Sequence, residues 1–304
     1  MTLSVLHALP FPLLHAGEAD PTGWLHSDWS VQPTVALGVF GIVVAYLAWT
    51  GPLNRRRPGA EARPVSGGQV AAFLAGSGVL LVALGPPLDD WADHYLLTAH
   101  MVQHLLLTVV VPPLWLLATP GWVLEPLRRW RIVDRLGFWL TRPVVALALP
   151  AFVFALWHVP VLYEAALRSE PIHVVEHQAF LVLGLLAWWP VLGPLPAWPR
   201  LTPPQQCLYL VAQTFPGGLV GSIITLAEPG LYAPYDTVRR IFGLGLDTDQ
   251  ELAGLLMWVG TSTVYLGLIT VIFFRWAAGE EAKDRAARRQ AAGGRRQESV
   301  SGGS

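Results

Sequence analysis

The sequence predicts an all-α membrane bundle of seven spanning helices, with its N-terminus outside and its C-terminus cytoplasmic. Three observations predict it. Hydrophobic residues make up 53% of the 304 positions and charged residues only 13%, about half of the roughly 25% usual in globular domains. The mean hydropathy is +0.45. The apolar residues also gather into runs near the roughly 20 residues that a helix needs to cross the hydrocarbon core. So few charges cannot solvate a compact water-soluble domain.

The runs are 33–52, 68–86, 94–118, 143–163, 173–194, 205–227 and 251–275. The first is apolar up to Trp49, and the second is equally so. The third carries His94, His100 and His104 in its first half, and the fourth carries His158 near its end. The fifth opens on His173, Glu176 and His177; the sixth has Cys207 near its start and Gln213 and Thr214 further on; the seventh contains Met257. Proline and glycine recur inside several runs, which a membrane helix tolerates where neighbours satisfy the freed backbone groups. Trp24, Trp29, Trp49, Trp91, Trp122, Trp198 and Trp276 lie at or near run ends, as an interfacial aromatic belt requires.

Orientation follows from the basic residues. Seventeen of the 20 lysines and arginines fall in the loops after the first, third and fifth runs and in the tail. Only Arg168, Arg239 and Arg240 fall on the other side. The positive-inside rule makes the crowded side cytoplasmic. Residues 1–32 are then an extracytoplasmic segment, 33–275 the membrane domain, and 276–304 a charged, Gly/Ala-rich tail expected to be disordered. The N-terminus lacks the basic start of a signal peptide. The outer side collects acidic residues, among them Asp89, Asp90, Asp93, Asp247 and Asp249, which offer a cation-attracting face.

Several function classes drop out. A net charge of −1 gives nucleic-acid binding no electrostatic support. The single cysteine, Cys207, excludes an internal disulfide framework and a multi-cysteine zinc site. Ser77, Ser222 and Ser262 have no local base or nucleophile elbow, so the chain reads as a non-enzyme.

All nine histidines fall on the outer side. His7, His15 and His26 belong to the N-terminal segment, where exposed polar residues need no ligand role. The others lie in or beside the spans, where ionisable groups are costly and usually face the bundle interior. His100 and His104 are four apart, as are His173 and His177, so each pair stacks on one helix face. Counted from the outer ends, His100, His158, His177 and Met257 fall in one layer, with His104 a turn deeper. Neutral imidazole is the commonest metal ligand, and imidazole with a thioether suits copper better than magnesium or calcium. The candidate ligands are therefore His100, His104, His158, His177, His173 and Met257, with Glu176, Met101 and Asp249 as residues that could orient them. The plainer alternative is that the histidines are hydrogen-bonding glue between helices.

Four segments resemble one known family. They are His100-Met101-Val102-Gln103-His104 with Pro112-Pro113, Trp157-His158-Val159-Pro160 with Tyr163, Glu176-His177 leading to Trp188-Trp189-Pro190, and Asp249-Gln250 with Gly254 and Met257-Trp258. Together, over residues 33–275, they resemble CtaG, the multi-span bacterial assembly factor for caa-type cytochrome c oxidase. Ala253 stands where that pattern has glycine. The resemblance implies a bacterial plasma-membrane protein that matures the oxidase by supplying copper to its haem–copper centre. Its partners would be the oxidase subunit that carries that centre and an extracytoplasmic copper chaperone. Two other readings fit the histidines: a haem-b electron-transfer protein with axial imidazoles, and a copper permease. The inner halves of the runs are nearly free of ionisable residues, which disfavours a through-path.

Overall fold

The computed structural model describes residues 32–55 and 65–301, and every regular element among them is helical. The principal helices are α1 (Pro33–Thr50), α2 (Gly67–Ala83) and α3 (Leu88–His94). The next, α4, runs Leu97–Ala118 and contains a π turn at Leu106–Val110. Then come α5 (Arg131–Leu140), α6 (Pro143–Trp157), α7 (Pro160–Arg168), α8 (Glu170–Leu192) and α9 (Pro203–Leu226). The last, α10, comprises Leu246–Leu255, a π turn at Leu256–Gly260, and Thr261–Ser301.

Six helical segments are long and apolar enough to cross a membrane alone. They contain α1, α2 with α3, α4, α8, α9 and α10, and they match six of the seven expected runs. The fourth run differs. Helix α6 has only 15 residues and passes the same test only together with α5, across a 79° bend. Its expected course to residue 163 is interrupted because Pro160 pushes Val159 out of the helical region, to φ −66° and ψ 129°. The break falls just after His158, which caps α6.

Helix α4 is the hub. It packs on α2, α8 and the first turns of α10, while α6 bridges α8 and α9, and α9 lies along α10. The α9–α10 crossing is close because it is built on glycine. A Cβ at Gly221 would sit 2.6 Å from the Gly254 carbonyl, and one at Gly254 would sit 2.5 Å from the Gly221 carbonyl. Small residues at such crossings allow the backbone approach that membrane helices use for packing. Helix α1 packs mainly on α2, with Tyr46 stacked on Phe73 at 3.8 Å and hydrogen-bonded to the Ala118 carbonyl.

Beyond Arg275 helix α10 continues to Ser301. The segment is rich in alanine, arginine and glutamate, which are strong helix formers. Ion pairs Lys283–Glu280 and Arg285–Glu281 add support along one face.

Candidate metal centre

The end of the bundle at which α4 begins gathers five imidazoles from three places in the chain. His100 and His104 come from α4, His158 from the end of α6, and His173 and His177 from α8. All five are buried, as is Glu176. The helical spacing does what the sequence requires. His100 and His104 have ring centroids 4.3 Å apart, and His173 and His177 have theirs 4.1 Å apart. Across helices, His100 lies 5.3 Å from His173 and 6.0 Å from His177, and His104 lies 5.7 Å from His177 and 5.4 Å from His158.

Donor atoms of His100, His104, Glu176 and His177 all lie within 4.8 Å of one another. Metal–imidazole bonds near 2 Å place two opposed donors about 4 Å apart, so shifts below about 1 Å would close this set on one ion. The polar atoms here have almost no protein partners. Both nitrogens of His104, both oxygens of Glu176, and Nε2 of His100, His158, His173 and His177 are buried without a hydrogen bond. Buried polar groups are normally satisfied, and such a concentration of free lone pairs on one point is the chemistry of a cation site. His104 Nε2 and Glu176 Oε1 are 3.7 Å apart.

The opposite ring nitrogens are held. His158 Nδ1 lies 2.7 Å from the Phe154 carbonyl, an acceptor that demands a proton on Nδ1 and leaves Nε2 as the lone pair. The Tyr235 hydroxyl donates to the Ala92 carbonyl at 2.7 Å. Its single proton is thereby used, so His100 Nδ1, 3.3 Å away, is the donor to the tyrosine oxygen. His100 too therefore presents Nε2. Metal-bound histidines are oriented in this way, through the nitrogen that does not bind.

The remaining expected residues take different places. Met257 and Met101 are fully buried in an apolar cluster with Tyr163, Tyr232 and Val220. The span that carries Met257 starts at Leu246 rather than near residue 251. Asp249 works on a helix end and not on an imidazole. Its carboxylate accepts from the Leu97 and Thr98 amides, both at 2.9 Å, and so caps α4 across the bundle. His94 lies at the rim, with Nδ1 3.2 Å from the Asp90 carbonyl. His7, His15 and His26 lie outside the described residues.

Other residues complete the site, and Asp93, Tyr232 and Tyr235 among them were not singled out from sequence as site residues. Asp93 reaches His173, Oδ2 to Nδ1 3.7 Å, and Asp93, His100 and His173 form a second donor group within 4.8 Å. Tyr163 and Tyr235 are hydrogen-bonded to each other at 3.2 Å, and Tyr232 donates to the His158 carbonyl at 2.9 Å. Tyr232 and Tyr235 sit in the loop before α10, and burial pushes both phenols above their ordinary value. Gln250 fixes that loop. Its Nε2 donates to the Ile224, Ala227 and Glu228 carbonyls, and its Oε1 accepts from the Gly230 and Leu231 amides. Gln103 ties α4 to its surroundings by donating to the Ala83 carbonyl and to Asp89.

Comparison with known proteins places the sequence in a family. The sequence profile of the cytochrome c oxidase caa3 assembly factor family (Caa3_CtaG) matches residues 44–279. Two curated mycobacterial proteins are similar: the uncharacterized protein Mb0105 of Mycobacterium bovis and the uncharacterized protein MT0111 of Mycobacterium tuberculosis. Each is 25% identical over 260 residues, which is 79% of this chain and 38% of the relative. The chain thus spans well under half the length of these relatives. No solved structure matches.

Proposed function

The chain belongs to the cytochrome c oxidase caa3 assembly factor family, and from that membership we propose that it binds copper at the imidazole cluster and delivers it to the oxidase haem–copper centre. One observation carries the reading: the convergence of unpartnered lone pairs from His100, His104, His177 and Glu176 inside a membrane-type bundle. A buried carboxylate and bare imidazoles are costly without a cation, and imidazole suits copper. Ligand exchange with oxidase histidines at similar depth spares the ion a passage through lipid, where an unpaired charge is expensive. The protein acts as a carrier and not as an enzyme.

In this reading the bundle crosses the bacterial plasma membrane seven times, with α6 as the short fourth crossing. The arginine-rich loops and the tail face the cytoplasm. The histidines then face the compartment from which an extracytoplasmic copper chaperone would load them. Phe180 packs against His104 at 4.5 Å and Phe154 against His158 at 4.3 Å, both on the arginine side. This apolar floor favours a carrier over a permease. The edge-on packing of His104 against His100, His158 and His177 favours a single ion over a flat haem between facing rings.

Metal analysis of the purified protein tests the proposal. Wild type should hold about one copper per chain, and a His100→Ala/His177→Ala variant should hold almost none at equal helicity. A wild-type protein that binds no copper, or one that shows the Soret band of haem, would sink it.

A further inference from the structure

We propose that the bundle offers one ion two positions in succession, an entry position at Asp93 and His173 and a deep position at His104, Glu176 and His177, with His100 as the ligand common to both. This rests on the reading of the cluster as a cargo-metal site and adds a route into it.

Two donor groups lie side by side. Asp93, His100 and His173 form one, and His100, His104, Glu176 and His177 form the other, each with its donor atoms within 4.8 Å. His100 appears in both. Its Nδ1 is engaged by Tyr235, which leaves Nε2 as its single free lone pair. One lone pair cannot hold two ions, so the positions fill alternately.

The surroundings give the order. A cavity of about 730 Å³ lies between α1, α2 and α8. Asp93, His173 and His177 line it, as do Asp89 and Glu170, whereas His104, His158 and Glu176 do not. Asp89 and Glu170 supply negative charge where a cation would approach. An ion arriving through the cavity therefore meets Asp93 and His173 before it reaches His104. His173 keeps Nε2 unpartnered, with its Nδ1 3.7 Å from Asp93 Oδ2.

The transfer is a ligand exchange with no change of oxidation state. Bonds to Asp93 and His173 break as bonds to His104, Glu176 and His177 form, with His100 Nε2 bound throughout. One carboxyl group stands in each donor set, Asp93 at entry and Glu176 in the deep position, so the ion keeps a carboxylate ligand at both. That balance avoids leaving a bare cation in a low-dielectric interior.

The test loads the full-length protein in lipid nanodiscs with Cu²⁺ presented as its glycine complex. Uptake is followed by rapid mixing, and the nitrogen ligands are counted by electron paramagnetic resonance. Asp93→Asn should slow loading about tenfold, in line with the loss of one partner of a metal site, while the final spectrum is that of the deep position. His104→Ala/His177→Ala should trap the ion at entry, with fewer nitrogen ligands and weaker retention. Adding Asp93→Asn to that pair should abolish binding. If Asp93→Asn gives no folded protein by thermal melting, His173→Gln should show the same slow loading. Wild-type loading rates in both Asp93→Asn and His173→Gln would overturn the two-position route, as would a folded His104→Ala/His177→Ala variant that binds nothing. Failure of the wild type itself to take up copper would instead remove the underlying cargo-metal reading.

Discussion

Tyr235 and His100 meet at 3.3 Å, hydroxyl oxygen to Nδ1, although 135 residues separate them in the chain. The contact sets which imidazole nitrogen is free, because the tyrosine proton already goes to the Ala92 carbonyl. Tyr235→Phe should therefore leave the helices intact and weaken metal binding. Loss of such an orienting partner typically costs about 10–100-fold in affinity. Competition against a copper chelator measures it, and a wild-type dissociation constant in the variant would show that the tautomer is set by something else.

A second relationship explains Trp188. In α4 the Thr108 carbonyl faces Pro112 at four residues and Pro113 at five, and neither has an N–H to give. Neither α nor π geometry can satisfy that oxygen. Trp188 of α8 does so instead, its Nε1 donating to Thr108 at 2.9 Å. Trp188→Phe keeps most of the apolar bulk but strands the carbonyl. Stranding a buried acceptor costs about 1–3 kcal/mol. A lower melting temperature with copper still bound is the expected result, and an unchanged melting curve would argue that water reaches Thr108.

The sequence shows its longest-range order in the spans and the histidines. Runs of uncharged residues set the helices, and the four-residue spacings at His100/His104 and His173/His177 set their faces. The break after His158 is not legible in composition, because Pro160 is in a stretch that continues the apolar run. The tyrosines could not be found from periodicity. Tyr232 and Tyr235 belong to an irregular loop whose path depends on five hydrogen bonds made by Gln250. Asp93 is similar: it reads as one more outer acidic residue until α3 turns it toward His173.

Asp249 provides a third prediction. Its carboxylate accepts the first two amides of α4, and Thr98 Oγ1 donates back to its carbonyl. An anion at a helix N-terminus also complements the macrodipole. Asp249→Asn retains one acceptor oxygen and turns the other into a donor facing an amide. A destabilisation of about 1–2 kcal/mol follows from the lost cap. His100 lies only one turn into α4, so metal affinity should fall with it. Thermal melting and copper binding measured together should move in parallel, and a drop in affinity at full stability would place Asp249 closer to the ion than its contacts indicate.

Glu176 separates a metal site from structural glue most directly. Its carboxyl group is fully buried, and neither oxygen has a hydrogen-bond partner. In a purely structural bundle such a group is a liability, because an unpaired buried carboxyl costs several kcal/mol by analogy with other desolvated polar groups, or about 2–7. Glu176→Gln removes the ionisable carboxyl with little change of shape. The metal-free variant should then melt at or above the wild-type temperature. Copper should stabilise the wild type, because a ligand that binds only the folded state raises its stability with concentration. The variant should gain much less, since one charged donor is gone from the set that contains His104 at 3.7 Å. Melting curves with and without copper give all four values. If Glu176→Gln melts lower than wild type without copper and responds to the metal equally, the carboxylate serves the fold, and the imidazoles alone must be asked whether they carry an ion.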